Sequence, residues 1–180
     1  MSFNRRNSFL LALLCHVLAT AQSPCDPKDL RELEREYDMA RAVTKKHGGA
    51  EIALQLSRCY VGINDSLRRV WLLKAIDGRK KFYQDMNMTE KIGMIRDVGL
   101  YNEELGDLEQ AEYWFMKWTK AECEVPEPYY HHGRSLLRIG RGEDALTELR
   151  TAERKGSTKI DLDSLLSEAT KASAVGGERN

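Results

Sequence analysis

The sequence predicts an all-α protein built from antiparallel helical hairpins. After residue 26, apolar residues recur at spacings of three and four, the period of a helix with one buried face. Alternation of apolar and polar residues never persists over the length of a strand, so no strands are predicted. Turns marked by glycine separate the helical segments, and such short turns imply that neighbouring helices run antiparallel.

Three helices are predicted in the first half of the chain. Asp26 and Pro27 suit the start of a helix that ends at Gly48 and Gly49. Its apolar stripe consists of Leu30, Leu33, Tyr37, Ala40 and Val43. A second helix is expected from Ala50 to about Val61, and Asn64–Asp65 can cap a third.

The second half predicts five more helices, each bounded by a capping residue or a glycine. In order, they are Glu90 to about Leu105 after a Thr89 cap, a helix starting at Asp107, Pro126 to Gly140, a helix reaching about Lys155, and roughly Asp161 to Ala172. The last residues, from Val175, are expected to form a frayed tail.

The chain also matches itself when it is shifted by 34 residues. The coinciding pairs are Gly99 and Gly133, Leu105 and Ile139, Gly106 and Gly140, Glu109 and Glu143, Ala111 and Ala145, Phe115 and Leu149, and Lys120 and Arg154. The glycines and alanines allow close helix approach, the larger residues fill the remaining space, and the second glycine pair supplies turns.

A two-helix repeat of this period resembles the tetratricopeptide repeat family. The family pattern places a large residue, a small one four positions on, and then Ala-x-x-x-Phe. The matching residues are Ile95, Gly99, Ala111 and Phe115 in one repeat, and Tyr129, Gly133, Ala145 and Leu149 in the next. Asn102 replaces a usual aromatic, and Cys123 and Ser157 stand where the closing proline is expected.

The resemblance implies a short α-solenoid of stacked hairpins with capping helices at both ends. A degenerate earlier repeat is suspected, with Ala53, Ser57 and Tyr60 near the first-helix positions of the family pattern. Its second helix fits poorly, because Arg69 stands where the family has a small residue. The expected organisation is a signal peptide at 1–21, an N-terminal capping helix at 22–49, a degenerate hairpin at 50–91, two repeats at 92–157, a C-terminal capping helix at 158–174 and a tail at 175–180.

The first 21 residues resemble a secretory signal. Arg5 and Arg6 precede an apolar run of about a dozen residues, which ends in Ala19-Thr20-Ala21. The run is shorter than a membrane span, so no stable membrane insertion is expected after cleavage. The alternatives are an uncleaved anchor or a buried N-terminal helix. The protein is therefore predicted to be secreted or periplasmic.

The charge balance and the cysteines bear on the class of partner and on the covalent state of the protein. Without Arg5 and Arg6 the chain has 26 basic and 28 acidic residues, a balance that disfavours nucleic acid as a partner. Removal of the signal leaves Cys25, Cys59 and Cys123, so at least one thiol stays free or pairs with another chain. Cys59 is expected to be a buried small residue, and whether any of the three form disulfides is open.

The sequence offers little for catalysis. His131 and His132 point about 100° apart on a helix and cannot chelate one ion, and no nucleophile elbow or phosphate-binding loop is present. No enzyme activity, metal or cofactor is predicted.

Asn64-Asp65-Ser66 and Asn87-Met88-Thr89 match the glycosylation sequon, which matters only if the host glycosylates.

The predicted binding face is the concave groove that first helices line in the resembled family. Its candidate residues are Arg96, Leu100, Glu103, Tyr130, Arg134, Leu137 and Arg138. Arginine favours carboxylates and tyrosine adds rigid apolar area, so an acidic peptide with an apolar anchor is the expected ligand. The alternative is that Arg134 and Arg138 are solvated helix charges.

Two functions are consistent with these observations. The first is an exported scaffold that binds a protein or peptide in its groove. The second is a structural assembly subunit that associates with itself or docks into a larger envelope or secretory complex.

Overall fold

The structure, a computed structural model, describes residues 25–43, 49–81 and 83–177. These ranges contain eight α-helices, one 3-10 turn at Tyr83–Asp85 and no strand. The helices are α1 (Pro27–Val43), α2 (Ala50–Cys59), α3 (Asp65–Lys80), α4 (Met88–Leu105), α5 (Leu108–Ala121), α6 (Glu127–Arg138), α7 (Gly142–Arg154) and α8 (Leu162–Gly177). The predicted signal peptide, Gly48 and residues 178–180 lie outside the described residues.

Polar side chains cap several of the described helices near the predicted positions, with one correction. Asn64 accepts the backbone N–H of Leu67 at the start of α3, and Asp107 accepts that of Gln110 at the start of α5. At α4 the predicted Thr89 cap is wrong. Asn87 caps this helix because its side chain and that of Glu90 each accept the other residue's backbone N–H, which satisfies two donors at once.

Three helices end at the predicted glycines, whereas two others differ in length from the prediction. Gly106, Gly140 and Gly156 have positive φ, and the residue after each donates back to a carbonyl five positions earlier, as in a Schellman motif. By contrast, α2 ends at Cys59 rather than near Val61, and α8 continues to Gly177, beyond the predicted end near Ala172.

Consecutive helices pack antiparallel. Arg79, near the end of α3, pairs with Glu51 at the start of α2 and with Asp97 within α4. Arg69, near the start of α3, donates to the carbonyl of Leu105 at the end of α4 at 2.8 Å. Arg69, which stands where the family pattern has a small residue, therefore caps the C-terminus of α4.

The same close contact recurs in the α4–α5 and α6–α7 hairpins. A Cβ placed on Gly99 would lie 2.6 Å from Phe115 Cε1, and one on Gly133 would lie 2.7 Å from Leu149 Cγ. Each pair joins the first helix of a hairpin to the second, and the two pairs are 34 residues apart in the sequence. Neither site has room for a side chain, so glycine sets the helix separation.

Two apolar clusters form the core of the described residues. The larger spans α1 to α5 and includes Tyr37, Leu72, Val98 and Phe115. The smaller joins α6, α7 and α8 through residues such as Leu136, Leu149 and Ala169. Leu30, Leu33 and Tyr37 of the predicted α1 stripe belong to or pack against the larger cluster. There the Tyr37 ring meets the Trp71 ring edge-on, with centroids 5.0 Å apart.

One disulfide joins the residues Cys25 and Cys59, which tether the chain before α1 to the end of α2. Cys59 is buried, as predicted, but it is bonded rather than a free buried thiol. Cys123 carries an exposed free thiol in the loop between α5 and α6. Among the described helices, none is both long and apolar enough to cross a membrane.

Candidate partner-binding face

The ends of α4 and α6 meet at an ion-pair cluster formed by three of the predicted groove residues. Arg134 donates to Glu103 from Nε at 3.0 Å and from Nη2 at 2.5 Å, and Arg138 donates from Nη1 at 3.2 Å. Arg134 and Arg138 are four residues apart and thus share one face of α6. Glu103 therefore connects the first helices of two consecutive hairpins.

The carboxylate at the centre of this cluster is buried, unlike that of a surface ion pair. The Glu103 side chain is only 8% exposed, and that of Arg134 is 31% exposed. Burial alone would lower the pKa of Arg134, but hydrogen bonds to Glu103 and its negative charge outweigh burial and raise this pKa above its ordinary value. The two arginines are therefore not merely solvated helix charges, because both bond to a buried carboxylate.

Arg138 and Arg96 are the guanidinium groups that remain open to solvent on this face. Their side chains are 46% and 50% exposed. Arg96 uses Nε and Nη2 on Asp97, whereas Arg138 uses only Nη1 on Glu103. Since a guanidinium has five N–H donors, Arg138 retains free donors for a ligand carboxylate.

An open depression lies over this cluster, lined by Glu103, Glu104, Arg134 and Arg138. Glu104 is engaged by Arg68 of α3 at 3.2 Å, which offsets its charge. Leu100 and Leu137 are half-buried and pack against the larger and the smaller core cluster respectively. The depression is therefore lined by charged side chains, with the half-buried Leu100 and Leu137 on the same two helices.

Tyr130 lies beside Arg134, whose guanidinium carbon is 5.5 Å from the centroid of the Tyr130 ring, but it is buried. Its side chain is 3% exposed, and its hydroxyl donates to both carboxylate oxygens of Asp161 at 2.8 Å. Burial and the Asp161 carboxylate raise the pKa of this hydroxyl. Tyr130 thus anchors the segment before α8, and its ring is not presented at the surface as an aromatic contact.

The two adjacent histidines of α6 have different surroundings. His131 packs against the rings of Phe115 and Trp118, with centroids 5.5 and 5.8 Å away. Burial and the charge of Arg134 lower the pKa of His131 to about 4. His132 Nε2 lies 3.3 Å from Glu112 of α5, and its Nδ1 lies 3.4 Å from Glu148 of α7.

Sequence reasoning missed the contacts made by Glu103 and those made by His132. For Glu103 a signal existed, since the predicted stripe of α4 carries an acid and the facing stripe of α6 carries two bases. For His132 no periodic signal connects Glu112 and Glu148, because their proximity depends on how two hairpins stack. Within the described part of the chain, no three His, Cys, Asp or Glu side chains are arranged to hold a metal ion.

Comparison with known proteins adds no relative: neither a family model nor a curated protein matches the chain.

Proposed function

We propose that the chain is an exported scaffold of the tetratricopeptide type that binds a protein or peptide on the face formed by α4 and α6. The observation that carries the proposal is the repeated contact of Gly99 with Phe115 and Gly133 with Leu149. Equivalent close contacts at a 34-residue interval are what a two-helix repeat of this period requires. Repeat proteins of this kind use the surface of successive hairpins for binding.

The ends of the chain support a capped stack. The helix α8 covers α7 and α6 with Leu162 and Ala169, which are buried in the smaller cluster. At the other end, α1 contributes Tyr37 to the larger cluster and is tied to α2 by the disulfide. Helices with one apolar and one polar face at both ends would keep the stack soluble.

The disulfide also supports export. Disulfides persist in oxidising compartments and are rare in the cytosol, where thiols are kept reduced. Cys25 lies shortly after the predicted cleavage site at Ala21, so the bond would belong to the mature protein. A secreted or periplasmic location is proposed on this basis.

The proposed ligand is a peptide with a carboxylate beside an apolar side chain. Its carboxylate would bind the open edge of Arg138, with Arg96 adding favourable charge. Arg134 would stay on Glu103, because replacing that bidentate, largely buried pair would leave a carboxylate unpaired. The apolar side chain would pack near the half-buried Leu100 and Leu137.

The test uses the full chain and a peptide library with Asp or Glu next to Leu or Phe, measured by fluorescence polarisation. Arg138→Ala should weaken the best binder about tenfold, as expected for loss of one charge-assisted hydrogen bond. Arg150→Ala is the matched control, because Arg150 is an exposed arginine on α7 away from this face. Arg134 is a poor choice for this test, since its loss would leave Glu103 unpaired.

Equal binding by the Arg138 and Arg150 variants, or no binder in the library, would count against this face. Light scattering on the same samples separates the alternative function. A scaffold is expected to be monomeric until its partner is added, whereas a self-associating assembly subunit is expected to form a stable oligomer alone.

A further inference from the structure

Two exposed asparagines have the same arrangement at the start of a helix. Asn64 caps α3 and Asn87 caps α4, and in each case the side-chain Oδ1 accepts a backbone N–H of the helix. Among the described residues, neither Nδ2 has a hydrogen-bond partner. Each asparagine is exposed and uses its side-chain oxygen, and not its amide nitrogen, to cap a helix.

Both asparagines also begin an Asn-x-Ser/Thr tripeptide without proline at the middle position. The third residues, Ser66 and Thr89, are exposed, as are Asp65 and Met88. Attachment of a glycan to Nδ2 leaves Oδ1 as an acceptor, so a sugar at either position is compatible with the helix cap. The two tripeptides thus satisfy both the sequence requirement and the steric requirement for modification of the folded protein.

The surface around Asn64 gives a further reason for a glycan there. Val61, Ile63 and Leu67 are 53%, 54% and 39% exposed, which is a concentration of apolar surface at one turn. Such surface promotes association unless something covers it. A glycan beginning at Asn64 would lie over these side chains and make this end of the molecule soluble.

We propose that Asn64 and Asn87 are N-glycosylated in the secretory pathway, an inference that rests on the export part of the proposed function. The Cys25–Cys59 disulfide, on which the export proposal also rests, is consistent with the oxidising compartment in which this modification takes place. The donor is an oligosaccharide linked to a polyprenyl diphosphate. Nδ2 forms a bond to C1 of the first sugar, the C1–O bond breaks, polyprenyl diphosphate leaves with the electron pair, and the Nδ2 proton is lost to a base.

The two glycans would project from opposite ends of the α3–α4 pair. Arg69, near Asn64, contacts Leu105 at the C-terminus of α4, while Asn87 precedes the N-terminus of the same helix. An 18-residue helix separates these ends by about 27 Å. The sugars would therefore flank the stack without sharing one patch of surface.

The experiment expresses the full chain in a cultured eukaryotic secretory cell line. Treatment with an amidase that removes N-glycans should convert the heavier, doubly glycosylated protein into a single lighter form. The reaction leaves aspartate at positions 64 and 87, which peptide mass spectrometry identifies. Ser66→Ala and Thr89→Ala should each remove one glycan. These variants keep the asparagine cap, unlike Asn64→Gln and Asn87→Gln, so loss of the glycan is separated from loss of the cap.

Two outcomes would overturn the proposal in distinguishable ways. Secreted protein with an intact Cys25–Cys59 bond but unmodified asparagines would refute glycosylation and leave the scaffold proposal standing. Protein that stays inside the cell, reduced and unmodified, would refute glycosylation and export together. Peptide binding by the Arg138 variant is measured separately and is affected by neither result.

Discussion

At the scale of single residues, glycine controls how closely paired helices approach. Gly99 lies against the Phe115 ring, and Gly133 lies against Leu149 and the carbonyl of Ala145. Gly93, on the same helix as Gly99, has no atom within 4 Å of the position that a Cβ would take. These two glycines of α4 thus differ in tertiary surroundings although both are helical.

Gly99→Ala should reduce the free energy of unfolding by about 1–3 kcal/mol, because the added methyl overlaps Phe115 in a packed core. Gly93→Ala should raise it by about 0.5–1 kcal/mol, since alanine is a better helix former and meets no neighbour there. Urea denaturation of both variants checks the prediction. Similar stability for the two would show that the hairpin can widen at little cost.

The lowered pKa of His131 makes part of the protein's stability depend on pH. The groups whose charges act on it are Arg134, Glu103, Lys159 and Asp161. Its pKa of about 4 in the folded protein lies below the ordinary value of 6.5, so the unfolded chain takes up this proton first as the pH falls. The resulting stability is fully present above about pH 6.5 and is lost as the pH falls toward 4.

His131→Phe should remove this part of the pH dependence, because phenylalanine keeps the ring between Phe115 and Trp118 but does not titrate. Urea unfolding of the two proteins between pH 6.5 and 4 should show a smaller loss in the variant. An NMR titration of the imidazole in the native protein measures the pKa directly. A native His131 that titrates near 6.5 would contradict the assignment.

At the scale of secondary-structure elements, the attachment of α8 depends on one small residue. A Cβ on Gly142, at the start of α7, would lie 2.6 Å from Ala172 Cβ and 2.7 Å from the backbone carbon of Ala172. Since backbone atoms cannot move aside as a flexible side chain can, the contact sets the distance between α7 and α8. Leu162 and Ala169 then seal the smaller cluster.

Gly142→Ala should displace α8 and make it more accessible to protease, while α4 and α5 keep their protection.

Deletion of the chain from Asp161 should go further, lowering the melting temperature and causing aggregation, because the apolar side chains of α6 and α7 lose their cover. Limited proteolysis with mass spectrometry and thermal unfolding check both effects. A truncated protein that melts like the full chain would show that α8 is dispensable.

At the scale of the whole molecule, the disulfide links the segment before α1 to the end of α2. It closes a loop with a sequence separation of 34, which in the chain-entropy model stabilises the folded protein by about 3–4 kcal/mol. The helix α1 has a single fully buried side chain among those described, Tyr37. Its attachment is therefore expected to depend on the covalent link more than that of any other described helix.

Cys59→Ser should lower the melting temperature and increase amide hydrogen exchange in α1, with little change in α6 to α8. Cys123→Ser is the matched control, because this exposed thiol closes no loop in the chain. Hydrogen exchange with mass spectrometry resolves the two ends of the molecule. Equal protection of α1 in both variants would mean that packing at Tyr37 alone holds the helix.

Local sequence was sufficient for the helical class, for most helix starts and for the glycine turns, because caps and Schellman motifs depend on residues within one or two turns. Periodicity also placed Gly99, Phe115, Gly133 and Leu149 at equivalent positions, since a repeated packing solution requires a repeated sequence. The cap at Asn87 was missed because two competing side chains, Asn87 and Thr89, both suit the start of a helix.

Only the tertiary structure decided how residues distant in the chain are paired. Arg134, Arg138 and Tyr130 were expected to line a groove together, but the fold bonds both arginines to the buried Glu103 and pairs the Tyr130 hydroxyl with Asp161. The pairing of Cys25 with Cys59 likewise depended on α1 folding back along α2. Short-range patterns determine the helices, whereas charge pairs and disulfides depend on the angle and offset at which those helices pack.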